Sequence, residues 1–531
     1  MRPAYHSHLS IDRAPLAQPL GLRHALLLAL LAGLLMGLPW LRTELAWLGW
    51  LAWVPLLMAL NGSSLKRAML VGWVSGVLSF ALASYWLIDF AINLHGFSLL
   101  LSAVLAALFW AWAGLALALA CVLSRWLWMR LPNSALLVFP VAVTLSLSYF
   151  PLLFHMHFAE TQAWYPLALQ GVELVGAKGL DALMVMTGVL VWRQWRRVLG
   201  ERLPWWPDML ALLLLLVWFV GGWWRLQYWD AQTERWDTRR IGLVQPNDPV
   251  SIAVPAPREG YTREYPPELA ASLRLAKAGA EWVAWPEARY KGYFELNSVR
   301  MRYMQEVGDA YFHLLLHDVE RSWEDGQPKA YNSLAWLNQR GELADVYRKV
   351  KLMPFGEYLP RVWSLPGIRR VTERFFGDFL RPLGAGERQV VFDINGMRVV
   401  PGICFETAFP EFMAEGIGAD GAGKLMLFLS QDGWFGQTTQ PLQHAAMSVV
   451  RGVENRVPMV HLINNGPSVV TLPSGRPVFR APAFEAGEFL VDLPFSAESG
   501  GSFYSRYPWL VPQVMNALLL LMVFLALLRR R

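Results

Sequence analysis

Residues 209–247 read MLALLLLLVWFVGGWWRLQYWDAQTERWDTRRIGLVQPN, and the character of the chain changes inside them. Met209 to Trp224 is an uncharged apolar run, close to the roughly 20 residues that a bilayer core demands. From Arg240, "RIGLVQPN" is a short β-like run closed by turn residues. Working outward, residues 1–230 hold the other long uncharged runs, 235–505 has ordinary globular composition, and apolar character returns in the last 25 residues. With 55% hydrophobic residues and 27 Trp in 531, the chain is too apolar for an ordinary soluble protein.

Eight spans are expected, at about 24–40, 44–61, 69–88, 97–121, 134–154, 179–192 with its flanks, 209–224 and 509–528. The first has the look of a signal-peptide core, but no small-residue cleavage site follows it and further spans come directly after, so it reads as an uncleaved helix. The organisation is therefore seven spans in 1–230, a soluble domain in 231–507 and an eighth span in 508–531. Positive residues in short loops are retained on the cytoplasmic side. Arg13, Arg23, Lys66, Arg67, Arg125, Arg130, Arg193, Arg196, Arg197, Arg202 and Arg529 to Arg531 fall on one side, against Arg42 and Lys178 on the other. Both ends of the chain are then cytoplasmic and the soluble domain lies on the far face. The net charge of +6 reflects these loop residues and forms no aromatic-interleaved patch, so nucleic acid is not an expected partner.

From Arg239 onward β-like runs alternate with helical stretches. "RIGLVQPN" is followed by a helix through "ELAASLRLAKAGA", "EWVAWPEARY", a helix around 301–320, "YNSLAWLN", "DVYRKVKLMPF" and "QVVFDINGMRVVPGIC". A helix through 411–416, "KLMLFLSQD", a helix near 440–454, "MVHLINNG" and "SVVTLPSG" complete a mixed sheet covered by helices. "INGM" and "NQRGEL" carry hairpin-turn residues.

Two patterns fail as sites. "GADGAGKL" at 418–425 approximates a phosphate loop, but Leu425 replaces the magnesium-binding Ser or Thr, and the loop runs from helix into strand. "HMH" at His155 to His157 lacks a third ligand nearby, so no metal is assigned. No cofactor is expected.

The two cysteines fall in different parts, Cys121 in a span and Cys404 in the soluble domain, so they do not pair. A lone thiol on the oxidising side of a membrane suggests a use for its reactivity. Glu287 in "WPEARY", Lys349 in "YRKVKLMPFGEYLP" and Cys404 in "VVPGICFETAFP" each follow or interrupt a β-like run, and strand ends gather at one rim of an open sheet. Cys404 is the expected nucleophile, at a turn where helix-terminal amides favour thiolate. Glu287 is the expected proton carrier, and Lys349 with the Phe405 amide the oxyanion donors.

These segments resemble the nitrilase (carbon–nitrogen hydrolase) superfamily, and the whole chain resembles the apolipoprotein N-acyltransferase family of the bacterial inner membrane. The resemblance rests on "LVQPN" (243–247), "WPE" (285–287), "YNS" (331–333), "YRKVKLMPFGEYLP" (347–360), "GICFE" (402–406), "DGWFG" (432–436), "QH" (443–444) and "NNG" (464–466). It implies a four-layer αββα domain on the periplasmic face and a two-step reaction. Cys404 would take an acyl chain from a phospholipid as a thioester, and the amine of a diacylglyceryl-cysteine lipoprotein would take it on, with a single chain as the working unit. It further implies that Glu357 orients Lys349, that Glu406 supports the pocket beside Phe405, and that Tyr358, Trp434 and Phe435 line the entrance or its loops.

Four positions depart from the family pattern: Val254, Gln431, Val457 and His461 stand where Trp, Asn, Arg and Arg are usual, with Arg456 expected to compensate locally. These departures leave a different amine acceptor open. A membrane-tethered amidase, in which water resolves the acyl-enzyme, is the second enzymatic reading. A transporter or receptor is the third, opposed by the few ionisable residues in the spans.

Overall fold

The computed structural model describes residues 20–529 apart from 252, 253, 255, 288, 289, 325, 359–364, 366, 368, 369 and 371–382. Arg13, Arg530, Arg531 and the last two residues of "YRKVKLMPFGEYLP" lie outside the described residues. In chain order, the membrane part begins with α1 (Leu22–Leu41), α2 (Thr43–Leu60) and α3 (Leu65–Ala83). A nine-residue helix, α4 (Leu87–His95), precedes α5 (Leu99–Trp128), α6 (Ala135–Tyr149), α7 (Val172–Val198) and α8 (Trp206–Thr233). All but α4 coincide with an expected span. Seven described helices, counting one near the C-terminus, are long and apolar enough to cross a membrane, and α6 is a shorter apolar helix of 15 residues.

Past α8 the chain enters β1 (Asp237–Gln245), then α9 (Pro267–Lys277), β2 (Trp282–Ala284), α10 (Asn297–Ala310), β3 (His313–Glu324), β4 (Gln327–Leu337) and β5 (Leu343–Arg348). It continues with β6 (Phe392–Ile394), β7 (Met397–Ile403), α11 (Pro410–Ile417), β8 (Lys424–Ser430), α12 (Gln440–Asn455), β9 (Met459–Ile463), β10 (Val469–Thr471), β11 (Pro477–Arg480) and β12 (Gly487–Phe495), before the last span α13 (Leu510–Leu528). Two six-stranded sheets result, ordered β12-β1-β2-β3-β4-β5 and β11-β10-β9-β8-β7-β6. The central strands β1, β2 and β3 run parallel, as do β7, β8 and β9, while the outer strands are antiparallel.

The sheets face each other across a core that includes Leu243, Trp282, Leu315, Val399, Leu427 and Leu462. Helices α9 and α10 cover the first sheet through Leu269, Leu275, Val299 and Tyr303. Helices α11 and α12 cover the second, and their core residues Met413, Val449 and Val453 form one cluster with Val172, Leu180 and Met184 of α7. The inner helix layer of the αββα sandwich thus packs directly on the membrane bundle.

Polar contacts fix the same junction. Gln443 of α12 donates through Nε2 to the Trp40 and Ala83 carbonyls at the ends of α1 and α3, at 3.0 and 3.1 Å, and accepts from Trp86 Nε1 at 3.0 Å. Arg456, at the C-terminus of α12, is buried and bonds Glu173 and Gln170 of the membrane part. It therefore ties the domain to the bundle rather than compensating at the position of His461.

The expected helix over 301–320 ends early. Tyr311 takes a left-handed φ of 56° and caps α10, and residues 313–320 belong to β3, whose His313, Leu314 and Leu315 pair in parallel with β2. The expected hairpin turns form: Asn395 and Gly396, with φ of 53° and 81°, join β6 to β7, and Asn338 to Glu342 joins β4 to β5. Lys424, of the rejected phosphate loop, donates to the Gly416 and Ile417 carbonyls and so closes the C-terminus of α11.

Candidate active site

The C-terminal ends of β2, β5 and β7 bring the expected triad together. Glu287 lies just past β2, Lys349 follows β5, and Cys404 follows β7 at the start of a single 3-10 turn, Cys404–Ala408. Lys349 Nζ is 3.0 Å from Glu357 Oε1 and 3.9 Å from Glu287 Oε1, and only 1% of the Lys349 side chain is exposed. The Cys404 thiol lies within electrostatic reach of the Glu287 carboxylate.

Asn332 on β4 holds both acids. Its Nδ2 donates at 2.7 Å to Glu287 Oε1 and at 2.7 Å to Glu357 Oε1, while its Oδ1 lies 2.5 Å from His317 Nε2. The Gln431 amide adds a contact of 3.2 Å to the other Glu287 oxygen. Glu357 Oε2 accepts from the Met353 amide at 2.7 Å, so the loop after Lys349 is locked to the acid that faces it. Gln431 also fills the structural place expected of Asn: its Oε1 accepts from the Gly433 amide and from Asn464 Nδ2.

Glu406 is fully buried and ties two strand ends together. Its Oε1 accepts from Tyr347 Oη (2.7 Å) and from the Val350 and Lys351 amides, and its Oε2 accepts from the Ile403 amide at 2.7 Å. It therefore fixes Lys349 and Cys404 relative to one another. Cys404 has a φ of +50°, a left-handed conformation that costs a non-glycine residue about 1–3 kcal/mol. Its carbonyl accepts from His444 Nε2 at 3.0 Å, and His444 Nδ1 lies 2.9 Å from both Asp432 oxygens. Both ring nitrogens thus face oxygen acceptors, which favours the charged ring. Burial opposes that charge, and Asp432 outweighs it, raising the His444 pKa.

Electrostatics assign the resting protonation. Burial raises the Cys404 pKa, and the neighbouring Glu287 charge raises it further, so it stands well above an ordinary thiol despite Lys349. Burial works against ionisation of Glu287 too, but Lys349, His317 and the Asn332 hydrogen bond overcome it and hold the carboxyl low. For Lys349 burial is outweighed by Glu357 and Glu287, which raise its pKa. The expectation of a resting thiolate is therefore corrected: a five-residue 3-10 turn does not offset burial, and the site holds a thiol, a carboxylate and an ammonium.

A pH profile follows. Acyl-enzyme formation is expected to stay flat as pH falls through the ordinary Glu range and to drop only at still lower pH, because Glu287 is held low and, once protonated, cannot accept the thiol proton. No rise near the free-thiol pKa of about 8.5 is expected. Asn332→Leu removes a hydrogen bond that favours the charged form and moves the acid limb to higher pH. Stopped-flow measurement across pH checks both, and an acid limb unmoved by Asn332→Leu contradicts the role given to Asn332.

Cys404, 8% exposed, borders a cavity whose other walls include Trp86, Phe154, His155, Phe405 and Phe435. Trp86 and Phe154 come from the segments that link spans. Of the expected lining residues, Phe435 does line the cavity, stacked on Phe90 at 5.1 Å and edge-on to Trp86 at 5.0 Å. Trp434 packs in the same aromatic cluster and accepts a bond from Asn93 on its carbonyl, but it is not part of the cavity wall. Tyr358 is 37% exposed and likewise is not in the wall.

Sequence reasoning assigned no role to Asn332, His317, His444 or Asp432. Asn332, midway along β4, and His444, near the start of α12, lie inside the quoted motifs "YNS" and "QH", which were the available signal. Of the departures, Val254 is 55% exposed and nothing in the structure explains it, and Val457 is buried core. His461 is buried between Ser430 Oγ at 3.0 Å and Ser448 Oγ at 2.5 Å, edge-on to His444, so it backs the catalytic turn and does not reach the cavity. His157 of the "HMH" stretch pairs with Asp181 at 2.8 Å, and no cluster of potential metal ligands occurs among the described residues.

Known sequences match both parts of the chain. The family model described as apolipoprotein N-acyltransferase N-terminal domain matches residues 32–190, and the one described as carbon-nitrogen hydrolase matches residues 268–498. A relative from Azotobacter vinelandii, named apolipoprotein N-acyltransferase, is 30% identical over 477 residues, covering 86% of this chain and 87% of its own length. A relative of the same name from Geobacter metallireducens is 27% identical over 499 residues, covering 91% and 92%.

Proposed function

This chain belongs to the apolipoprotein N-acyltransferase family, a family of multi-pass inner-membrane proteins, and from its site we propose that it moves an acyl chain from a phospholipid to the N-terminal amine of a diacylglyceryl-cysteine lipoprotein. The observation that carries this reading is the cavity at Cys404: the nucleophile of a carbon–nitrogen hydrolase triad, with Glu287 and Lys349 behind it, opens onto a space walled by aromatic residues of the membrane part. A hydrolase of soluble amides has no need of that wall.

In the first step Glu287 takes the thiol proton as Cys404 Sγ attacks the ester carbonyl of the donor. The sulfur–carbon bond forms, Lys349 Nζ and the Phe405 amide receive the developing oxyanion, and the ester carbon–oxygen bond breaks. The proton on Glu287 passes to the leaving alkoxide, which departs as lysophospholipid. In the second step the acceptor amine attacks the thioester, the amine proton passes through Glu287, and the carbon–sulfur bond breaks to regenerate the thiol and give the amide. Lys349 remains an ammonium throughout, held by Glu357.

The cationic loops lie at the end of the bundle away from α4, so the positive-inside rule supports a periplasmic catalytic domain and cytoplasmic ends for α1 and α13. All catalytic groups come from one chain, which supports a monomer as the working unit. Expression in cells depleted of their own N-acyltransferase tests the acceptor. Restored growth with triacylated lipoproteins is expected, and a membrane-inserted protein that forms the thioester yet leaves lipoproteins diacylated overturns it.

A further inference from the structure

Resting on the acyl-enzyme reading, we propose that the acyl chain held on Cys404 runs past Met156 into a cavity inside the helical bundle, and that this cavity sets the chain lengths the enzyme accepts.

Two cavities share one wall residue. The first, at Cys404, has Phe154 and Met156 in its wall. The second lies among α1, α2, α3, α5 and α6, and Met36, Trp40, Phe80, Leu117 and Phe158 line it together with the same Met156. They also abut around the end of α3, where Ala83 borders the second and Trp86 the first.

The chemistry of the second cavity selects its occupant. Its walls carry hydrocarbon, aromatic rings and the thioether of Met156, with Ser79 the one hydroxyl. The Trp40 and Ala83 carbonyls nearby are already taken by Gln443. A buried water needs two to four polar partners, which this lining does not supply. An alkyl chain needs none. Met156 is half-buried in the segment between α6 and α7, and an unbranched side chain with three rotatable bonds can swing aside without moving a helix. A thioester carbonyl at Cys404 places the following methylenes in the first cavity, and a longer chain has the second cavity as its continuation.

Ser79 and Met156 then control length. Ser79→Leu fills the second cavity from α3, and Met156→Phe bars the way into it from a connecting segment rather than a helix–helix contact. The assay follows acylation of Cys404 by intact-protein mass spectrometry, in micelles of phosphatidylethanolamines carrying eight-, twelve- or sixteen-carbon chains. An excluded methylene is worth about tenfold or more in a fitted pocket. Both variants are therefore expected to lower the sixteen- to eight-carbon ratio by about tenfold or more, Ser79→Leu with the eight-carbon rate kept, and Met156→Ala to raise it.

The retained eight-carbon rate shows that a variant is folded. If Ser79→Leu acylates with no donor, Met156→Phe decides alone. An unchanged ratio in Met156→Phe, or an equal loss at every length, overturns the proposal and leaves the chain in the bilayer. Absence of any adduct on the unsubstituted protein overturns the acyl-enzyme reading instead.

Discussion

Cys404→Ser is expected to lower acyl transfer by on the order of 10⁴-fold or more while leaving the protein folded in the membrane. Oxygen replaces sulfur with little change of volume, so Glu406, His444 and the turn at 404–408 keep their partners. What changes is the acidity of the nucleophile. The thiol is already pushed up by burial and by Glu287, and its proton leaves only because the carboxylate beside it accepts during attack. A hydroxyl is a far weaker acid, and the same carboxylate cannot activate it usefully. Single-turnover assays in detergent measure the effect, with thermal unfolding as the control. A variant that keeps a tenth of the activity would mean that Cys404 is not the nucleophile.

Lys349→Met is expected to act on both catalysis and stability. The ammonium is 1% exposed and is the positive charge shared by Glu287 and Glu357, which also share the Asn332 amide. Removing one partner of a buried ionic group costs about 3–5 kcal/mol, because the charges left behind lose their compensation. Two carboxylates facing each other then take up a proton, and a protonated Glu287 is no base. Loss of the oxyanion contact alone is worth about 10²–10³-fold, and the loss of the base adds to it.

A second substitution separates these effects. Lys349→Met with Glu357→Gln removes one of the stranded charges and is expected to recover much of the lost thermal stability and none of the acyl transfer. Recovery of activity in the double variant would show that Lys349 serves structure alone.

How much was legible in the sequence depended on range. The spans were readable because each is a local run of apolar residues whose length the bilayer dictates, and Ala135–Tyr149, the shortest, was still found. The turns at Asn395 and Gly396 were readable because left-handed backbone selects those residues. The strand at 313–320 was misread as helix because "HLLLH" is fully apolar at its centre, where a strand buried on both faces and a buried helix have the same pattern. Tyr311 ends the preceding helix in a left-handed conformation that a bulky side chain gives no reason to expect.

The triad was legible as three polar residues at strand ends, yet the groups that set its charges were not. Asn332 reaches Glu287 across 45 positions and His444 reaches the Cys404 carbonyl across 40, contacts that only the fold creates. The same holds for the error over the thiolate. A turn after a strand suggested helix-terminal amides, whereas the folded site buries the sulfur against a carboxylate, and that burial is a property of the assembled sandwich. The junction with the membrane was equally out of reach, since Gln443 and Arg456 had no local signal of partners 283 or more residues away.

The most direct test is the mass of the peptide containing Cys404 after the purified protein is incubated with phosphatidylethanolamine and no acceptor. The predicted result is one fatty acyl group on Cys404, released by neutral hydroxylamine as a thioester is, and lost on addition of a diacylglyceryl-cysteine peptide that becomes N-acylated. An unmodified Cys404 alongside released free fatty acid, or an acyl group on another residue, would contradict it.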